Sequence, residues 1–398
     1  MFPPEPICFF CAEADVVVIG GGAAGVYAAI GLLDRGVNVL VVEKQADLGG
    51  HADTYTDPIT GQSVNAGVQV FHNSTIVKEY AARLGVPMVP PTFGGASLSV
   101  DFTTGNTVSY PGANPALMDE LARYIDIFNT NYPYLNDGFF LPEPVPEDLV
   151  LPFGDIQTGS FLTLHDTNDL YRSAAAILGK RVLYNATVAS LIRDNDGVTV
   201  EVRQKCRTTT VRAKRLLMTG PPVLDNLHGW DLVQEEKDLF AKFHGYGYFA
   251  GAISNPDLPD NTSFVNVAED APFHTPQLPA IFGINDTPLP QKTRLVYYGT
   301  QPDIDHDAAA AMCIEDVDKL VRQRGYGDAK TKLLAWYPHG PFNIGVSPDD
   351  IRQGFYQRLY ALQGERNTYW SGATWQAQDS AQVWAYTKTL IEPLARSS

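Results

Sequence analysis

The chain has 398 residues, which allows two domains or one domain with a large insertion. Hydrophobic residues make up 44% and aromatics 11%, which excludes a disordered chain and is ample for a sizeable core. A formal net charge of −16 makes nucleic acid and anionic membrane surfaces unfavourable partners, and four cysteines exclude a disulfide scaffold.

The chain opens on a short arm in which Cys8 and Cys11 form a CxxC. No second pair stands at zinc spacing and no HxxxH occurs, so no metal is expected. The pair reads as incidental thiols, or as a disulfide if the protein is secreted. Val16–Leu33 is an apolar run of membrane-span length, but three consecutive glycines, Gly20 to Gly22, interrupt it. It is also a poor signal peptide, because Arg35 is the first basic residue. Four N-x-S/T sequons, at Asn73, Asn185, Asn261 and Asn285, and the low charge content lean towards secretion rather than the cytoplasm.

Val16 to Ile19 reads as a buried parallel strand. Gly20, Gly22 and Gly25 follow as GxGxxG, with Ala24 inside the motif. Ala23 to Arg35 reads as a helix with Ala28, Leu32 and Leu33 on its inner face. Asn38 to Val42 reads as a second strand, ending in Glu43 and Lys44. Strand, glycine turn, helix, strand and acid within about 30 residues form a dinucleotide-binding fingerprint. Gly20 permits the turn, Gly22 admits the pyrophosphate, and Gly25 lets helix and strand pack. The helix N-terminus offers unpaired N–H groups and a positive dipole end. Glu43 suits ribose hydroxyls and disfavours a 2′-phosphate, so NADP is not expected there.

Gly49-Gly50-His51 comes next. A Gly-Gly pair after the ribose-binding acid distinguishes FAD proteins from NAD proteins. The run VVVIGGGAAGVYAAIGLLDRGVNVLVVEKQADLGGHADT resembles the flavin amine oxidase and phytoene desaturase superfamily. Two further segments, GGHADTYTDPITGQSVNAGVQVFHN and the stretch from Trp336 to Trp384, narrow the resemblance to the β-cyclopiazonate dehydrogenase-type subfamily. The resemblance implies an α/β FAD-binding Rossmann-like fold of the glutathione reductase/amine oxidase type, with a mixed α+β substrate domain. The FAD-binding domain would comprise 12–90, 180–235 and 350–398, and the substrate domain 91–179 and 236–349. The superfamily usually carries Gly-Gly-Arg, where this chain has His51. His51 then either contacts the flavin or phosphates, anchors the flavin covalently at its 8α-methyl, or is structural.

The later elements follow from the same comparison. Val188 would touch the adenine side through its backbone. Leu216 to Thr219 would close the domain. Tyr369 to Ala373 would be the last flavin-binding strand. Many superfamily members place an acid after the glycine of that strand, but here Gly372 is followed by Ala373 and Thr374. Phosphate or ribityl contacts then fall to hydroxyls, backbone, Ser380 or Asp379, the last doubling as N-cap of a Ser380 to Leu394 helix. That helix would aim its N-terminus at the flavin pyrimidine. Histidines expected shortly after Gly372 are replaced by Trp375-Gln376-Ala377-Gln378.

In the substrate domain, a strand pair at Leu98 to Phe102 and Thr107 to Tyr110 precedes a helix around Pro115 to Asn131 and a proline-rich loop through Pro152. Strands are expected at Thr262 to Val267, Ala280 to Ile284 and Arg294 to Tyr298. Tyr246, Tyr248 and Phe249 form an aromatic cluster.

The candidates for chemistry are His72, Gln69 and His339. Period-2 alternation would set Gln69 and Phe71 on one face and Val70 and His72 on the other. Phe71, Tyr337, Trp370 and Trp375 are expected to wall the substrate pocket. Together these features point to an FAD enzyme that removes hydride from a small hydrophobic or aromatic metabolite, with O2 as acceptor. A flavin-dependent double-bond isomerase of unsaturated fatty acids and a non-catalytic flavin-binding protein are the alternatives.

Overall fold

The computed structural model describes residues 8–91, 95–109, 140–149, 161–205 and 207–396, with 122–123, 126–127 and 129–132. Tyr110, most of the expected Pro115 to Asn131 helix, and Pro152 lie outside them.

Val16, Val17 and Val18 are fully buried at the centre of a mixed sheet. Their strand is longer than the sequence suggested and runs Cys8–Ile19. It pairs in parallel with Val39–Val42 on one side and Arg207–Met218 on the other. Val182–Leu183 extends the sheet beyond Val39–Val42. The outer edge of Arg207–Met218 is shared. Its first half takes the antiparallel hairpin of Gly197–Gln204 and Thr187–Asp194, and its end takes Thr368–Trp370 in parallel. Cys8 and Cys11 lie three residues apart in one extended strand, about 10 Å. That exceeds the reach of a disulfide, so the pair is not bridged within the chain.

The apolar Val16–Leu33 run is divided into a strand and the helix Ala23–Leu33. The helix is apolar all round because it is covered on all sides. The C-terminal helix Ser380–Ala395 crosses it closely: a Cβ on Gly31 would lie 2.5 Å from Ile391 Cδ1. Trp384 Nε1 donates to Ala23 O at 3.1 Å and ties the two helices together at the phosphate-facing end. Among the described residues no helix is long and apolar enough to cross a membrane.

The second sheet is built largely of antiparallel strands. Its order is Lys332–Pro338, His244–Ser254, Thr293–Thr300, Ala280–Asp286, Thr262–Asn266 and Ala96–Val100, the last pair being parallel. Phe342–Gly345 pairs with the start of His244–Ser254. The helix His306–Gln323 closes one face of this sheet through Ala309, Cys313, Val317 and Leu320. Asp305 caps it, accepting from the N–H groups of Asp307 and Ala308. The helix Asn168–Leu178, placed by sequence with the substrate half, buries Leu170, Tyr171, Ala174 and Leu178 in the core of the first sheet.

Candidate active site

A cleft of about 420 Å³ runs between the ends of the first-sheet strands and the second sheet. Gly20, Gly22, Ala24, Glu43, Lys44, Gly49, Gly50 and His51 all line it. Gly25 stands just behind, where helix and strand touch. A Cβ on Gly25 would sit 1.9 Å from Gly20 O, so only glycine fits. Gly22 is the helix N-cap and has no side-chain cap, which leaves the first N–H groups open towards the cleft. The Gly49-Gly50 turn packs on the first loop, with Gly49 N donating to Gly21 O at 2.9 Å. Glu43 is buried; its carboxylate accepts from Gly21 N at 2.6 Å and Gln45 N at 2.7 Å. An open helix N-terminus flanked by two glycine turns and a buried carboxylate fits a dinucleotide.

At the other end of the cleft lie Gly372, Ala373, Thr374, Asp379 and Ser380. Asp379 caps the C-terminal helix, its Oδ1 accepting from Gln382 N at 2.9 Å. That helix therefore presents its positive end to the cleft. Val188 does not line the cleft. It sits in Thr187–Asp194, half-buried against the core.

The catalytic candidates separate. Gln69 lines the cleft and donates to Tyr297 Oη at 2.6 Å and to Asn65 O at 3.1 Å. His339 lines it too, with Nε2 2.7 Å from an Asp53 carboxylate oxygen and its ring stacked on His51 at 4.6 Å. Burial pushes the His51 imidazole down to about 3, with the charges of His339 and Lys44 adding to the effect, so it is neutral at ordinary pH. His72 is not in the cleft lining. Its ring stacks on Phe161, and Nδ1 lies 3.4 Å from Asp379 Oδ2. The expected alternation fails because only Phe71–His72 is strand; Gln69 and Val70 both face the cleft and Phe71 turns into the core.

All four expected pocket aromatics are corrected in the same way. Phe71 is buried and stacks on Trp384. Trp370 packs between Phe240 and Trp230. Trp375 is fully buried beside Tyr360. Tyr337 is outside the cleft lining although it shares a sheet face with Tyr297, both lying opposite Ala250, and its hydroxyl donates to Thr54 O at 3.3 Å. The rings that do line the cleft are Tyr248, Tyr297, Phe342 and, beside Gly49, Tyr171. Tyr248 stacks on Phe342 at 4.4 Å, and Tyr248 and Tyr297 lie nearly parallel at 6.4 Å. Burial raises both tyrosine hydroxyls, which stay neutral hydrogen-bonding groups. The sequence marks Tyr248 and Phe342 as members of aromatic clusters but gives no comparable sign for Tyr297 or Asp53. An acid two residues after Gly-Gly-His was the only available signal for Asp53.

A model of the NAD(P)-binding Rossmann-like domain matches residues 18–84. The FAD-dependent oxidoreductase oblC of Cochliobolus heterostrophus is 34% identical, over 95% of this chain and 90% of its own. The β-cyclopiazonate dehydrogenase of Aspergillus flavus is 32% identical, over 96% of this chain and 93% of its own. Two solved structures share the fold. The fatty acid isomerase from P. acnes that produces CLA has a TM-score of 0.77 at 18% identity, covering 96% of this chain and 98% of its own. Putrescine oxidase bound to putrescine has a TM-score of 0.66 at 15% identity, covering 97% and 100%. At those identities the likeness speaks to fold alone.

Proposed function

Because this chain belongs to the family of FAD-dependent oxidoreductases that includes β-cyclopiazonate dehydrogenase, we propose that it oxidises a small hydrophobic or aromatic metabolite lacking a free carboxylate, with O2 as electron acceptor. One observation carries the substrate class. Around Gln69 and His339 the cleft is lined by Val68, Val70, Tyr248, Tyr297, Pro338 and Phe342, while Thr374, Gln378, Asp379 and Ser380 are its polar groups at the C-terminal helix. Among the described residues its only Lys or Arg is Lys44, beside Glu43. A fatty-acid carboxylate there would be desolvated without a cationic partner, which is costly and weighs against the isomerase reading. Relatives that are enzymes weigh equally against a non-catalytic flavin binder.

When bound, FAD supplies a two-electron acceptor. The residues around it divide the remaining work. Gly20, Gly22, Ala24 and the N–H groups of the Ala23–Leu33 helix hold the pyrophosphate, and Glu43 the adenosine ribose. Asp379 and Ser380 open the C-terminal helix towards the cleft, where its dipole would favour negative charge on the bound flavin. Gln69, fixed by Tyr297, and the flat face of Tyr248 orient an aromatic substrate. His339 accepts the proton lost from the heteroatom beside the carbon that gives up hydride. A single glycine-rich dinucleotide motif, with no second one for NAD(P)H, weighs against a two-dinucleotide reductase or monooxygenase and is compatible with a small acceptor such as O2.

The test is anaerobic bleaching of the flavin band by a panel of neutral aromatic compounds and fatty acids, followed by aerobic product mass and oxygen uptake. A product lighter by two hydrogens with oxygen consumed is the expected result. A product of unchanged mass from a fatty acid overturns the reading.

A further inference from the structure

Asp53 and His339 stand 286 positions apart in sequence and meet at 2.7 Å. Neither can drift from the other. Asp53 O accepts from Ala66 N at 2.8 Å and Gly67 N at 3.0 Å, and Val68 N donates to His51 O at 3.0 Å. The two segments lie so close that a Cβ on Gly67 would sit 1.8 Å from His51 O. On the other side, His339 N donates to Tyr248 O at 2.8 Å, which pins it to the second sheet. The Asp53–His339 contact is thus set by two rigid backbones, the arrangement that preorganises a site.

We propose that Asp53 is a positioning residue that fixes Nε2–H on His339 and leaves Nδ1 as the proton-accepting nitrogen, with His51 as the neutral ring against which the resulting imidazolium stacks. This rests on the reading of His339 as proton acceptor. A carboxylate offers only acceptors, so Nε2 is the donor of this hydrogen bond and the lone pair belongs to Nδ1. Once Nδ1 takes a proton, the anionic Asp53 stabilises the imidazolium. His51 does not compete for that proton. It is buried, Lys44 opposes a charge on it, and a charged His339 at 4.6 Å opposes it further. The stacked pair therefore takes up one additional proton, which the burial of His51 and the carboxylate of Asp53 assign to His339.

The step balances. In a substrate H–C–X–H, the C–H bond breaks and its electron pair leaves with that hydrogen to the flavin, which is reduced. The X–H electron pair becomes the second bond of C=X, and the X–H proton goes to Nδ1 of His339. The titratable groups facing His339 are Asp53, His51 and Tyr248, with Tyr55 and Tyr337 beyond Asp53 and Lys44 beyond His51.

The experiment uses holoenzyme with 15N-labelled histidine rings and long-range proton–nitrogen correlation, with His339→Gln assigning the resonance. The expected spectrum has a proton on Nε2 of His339, shifted downfield by Asp53. That downfield signal is lost in Asp53→Asn and restored in Asp53→Glu. A proton on Nδ1 in the wild type, or a signal indifferent to Asp53→Asn, overturns the proposal and leaves the reading of His339 untouched. Because the wild-type spectrum alone decides the tautomer, a poorly folding variant does not rescue the idea. Full turnover by His339→Gln of the compound found in the mass assay, with the spectrum as expected, overturns the reading of His339 and the proposal with it.

Discussion

Replacing Gly22 by valine separates what the fold needs from what the cofactor needs. Gly22 has φ −83 and ψ −164, a conformation open to any L residue. A Cβ there would meet only Gly50 Cα, at 3.6 Å, which is ordinary contact. The polypeptide therefore tolerates the change at a cost of about 1 kcal/mol, from the poorer N-cap. The cofactor does not. The two γ-methyls occupy the face through which a phosphate reaches the uncapped N–H groups at the helix start. Charge-assisted hydrogen bonds are worth about 1.5–3 kcal/mol each, so losing two costs about 3–6 kcal/mol. At about 1.4 kcal/mol per decade, affinity for FAD falls roughly a hundredfold to ten-thousandfold. The assay is the flavin-to-protein absorbance ratio after purification, with calorimetric titration of FAD into apoprotein. Gly25→Ala is the contrast. Its Cβ would sit 1.9 Å from Gly20 O, so it lowers the melting temperature of the apoprotein itself, by an overpacking cost of about 1–3 kcal/mol or more. Gly22→Val with wild-type flavin content, or with an apoprotein as destabilised as Gly25→Ala, would refute the reasoning.

Three further outcomes follow from the geometry. Asp379→Ala removes the cap of the C-terminal helix and lowers stability by about 0.5–2 kcal/mol in chemical denaturation, with flavin binding weakened because the same residue lines the cleft. Trp375→Ala costs about 3–5 kcal/mol but leaves the relative rates of competing substrates unchanged, since the ring is buried away from the cleft. The third concerns acid. His51 titrates at about 3 in the folded chain against 6.5 when unfolded, so the unfolded state binds the extra proton between those values. Stability from this group is complete above about pH 6.5 and is lost progressively as pH falls towards 3. His51→Gln flattens that part of the melting-temperature profile; an unchanged acid slope counts against a buried neutral imidazole.

The dinucleotide half of the site was legible because its requirements are local. Gly20, Gly22 and Gly25 are demanded by turn, ligand and packing within six residues of one another, and no other side chain meets all three. Glu43 follows at the end of the next strand, and the pair Gly49-Gly50 returns to the first loop. The last strand and the helix beginning at Ser380 could also be placed, because Asp379 caps that helix as its position predicts.

The substrate half was not legible in the same way. A tryptophan or phenylalanine suits a core and a pocket wall equally, so residue type could not tell Trp370, Trp375 and Phe71 from Tyr297 and Phe342. The strand Phe71–His72 is too short to carry the expected alternation back to Gln69, and His72 lies against Asp379.

By itself, then, the sequence determined the phosphate-binding loop, because backbone angles and missing Cβ atoms are written directly in glycine positions, and its resemblance to a known superfamily supplied the fold and the cofactor. The tertiary structure alone decided which rings face the cleft and that Asp53 meets His339. The Asp53–His339 contact joins the end of the second sheet to the segment just before Thr54–Thr56, stretches with no local reason to be neighbours; only tertiary packing brings them within hydrogen-bond reach.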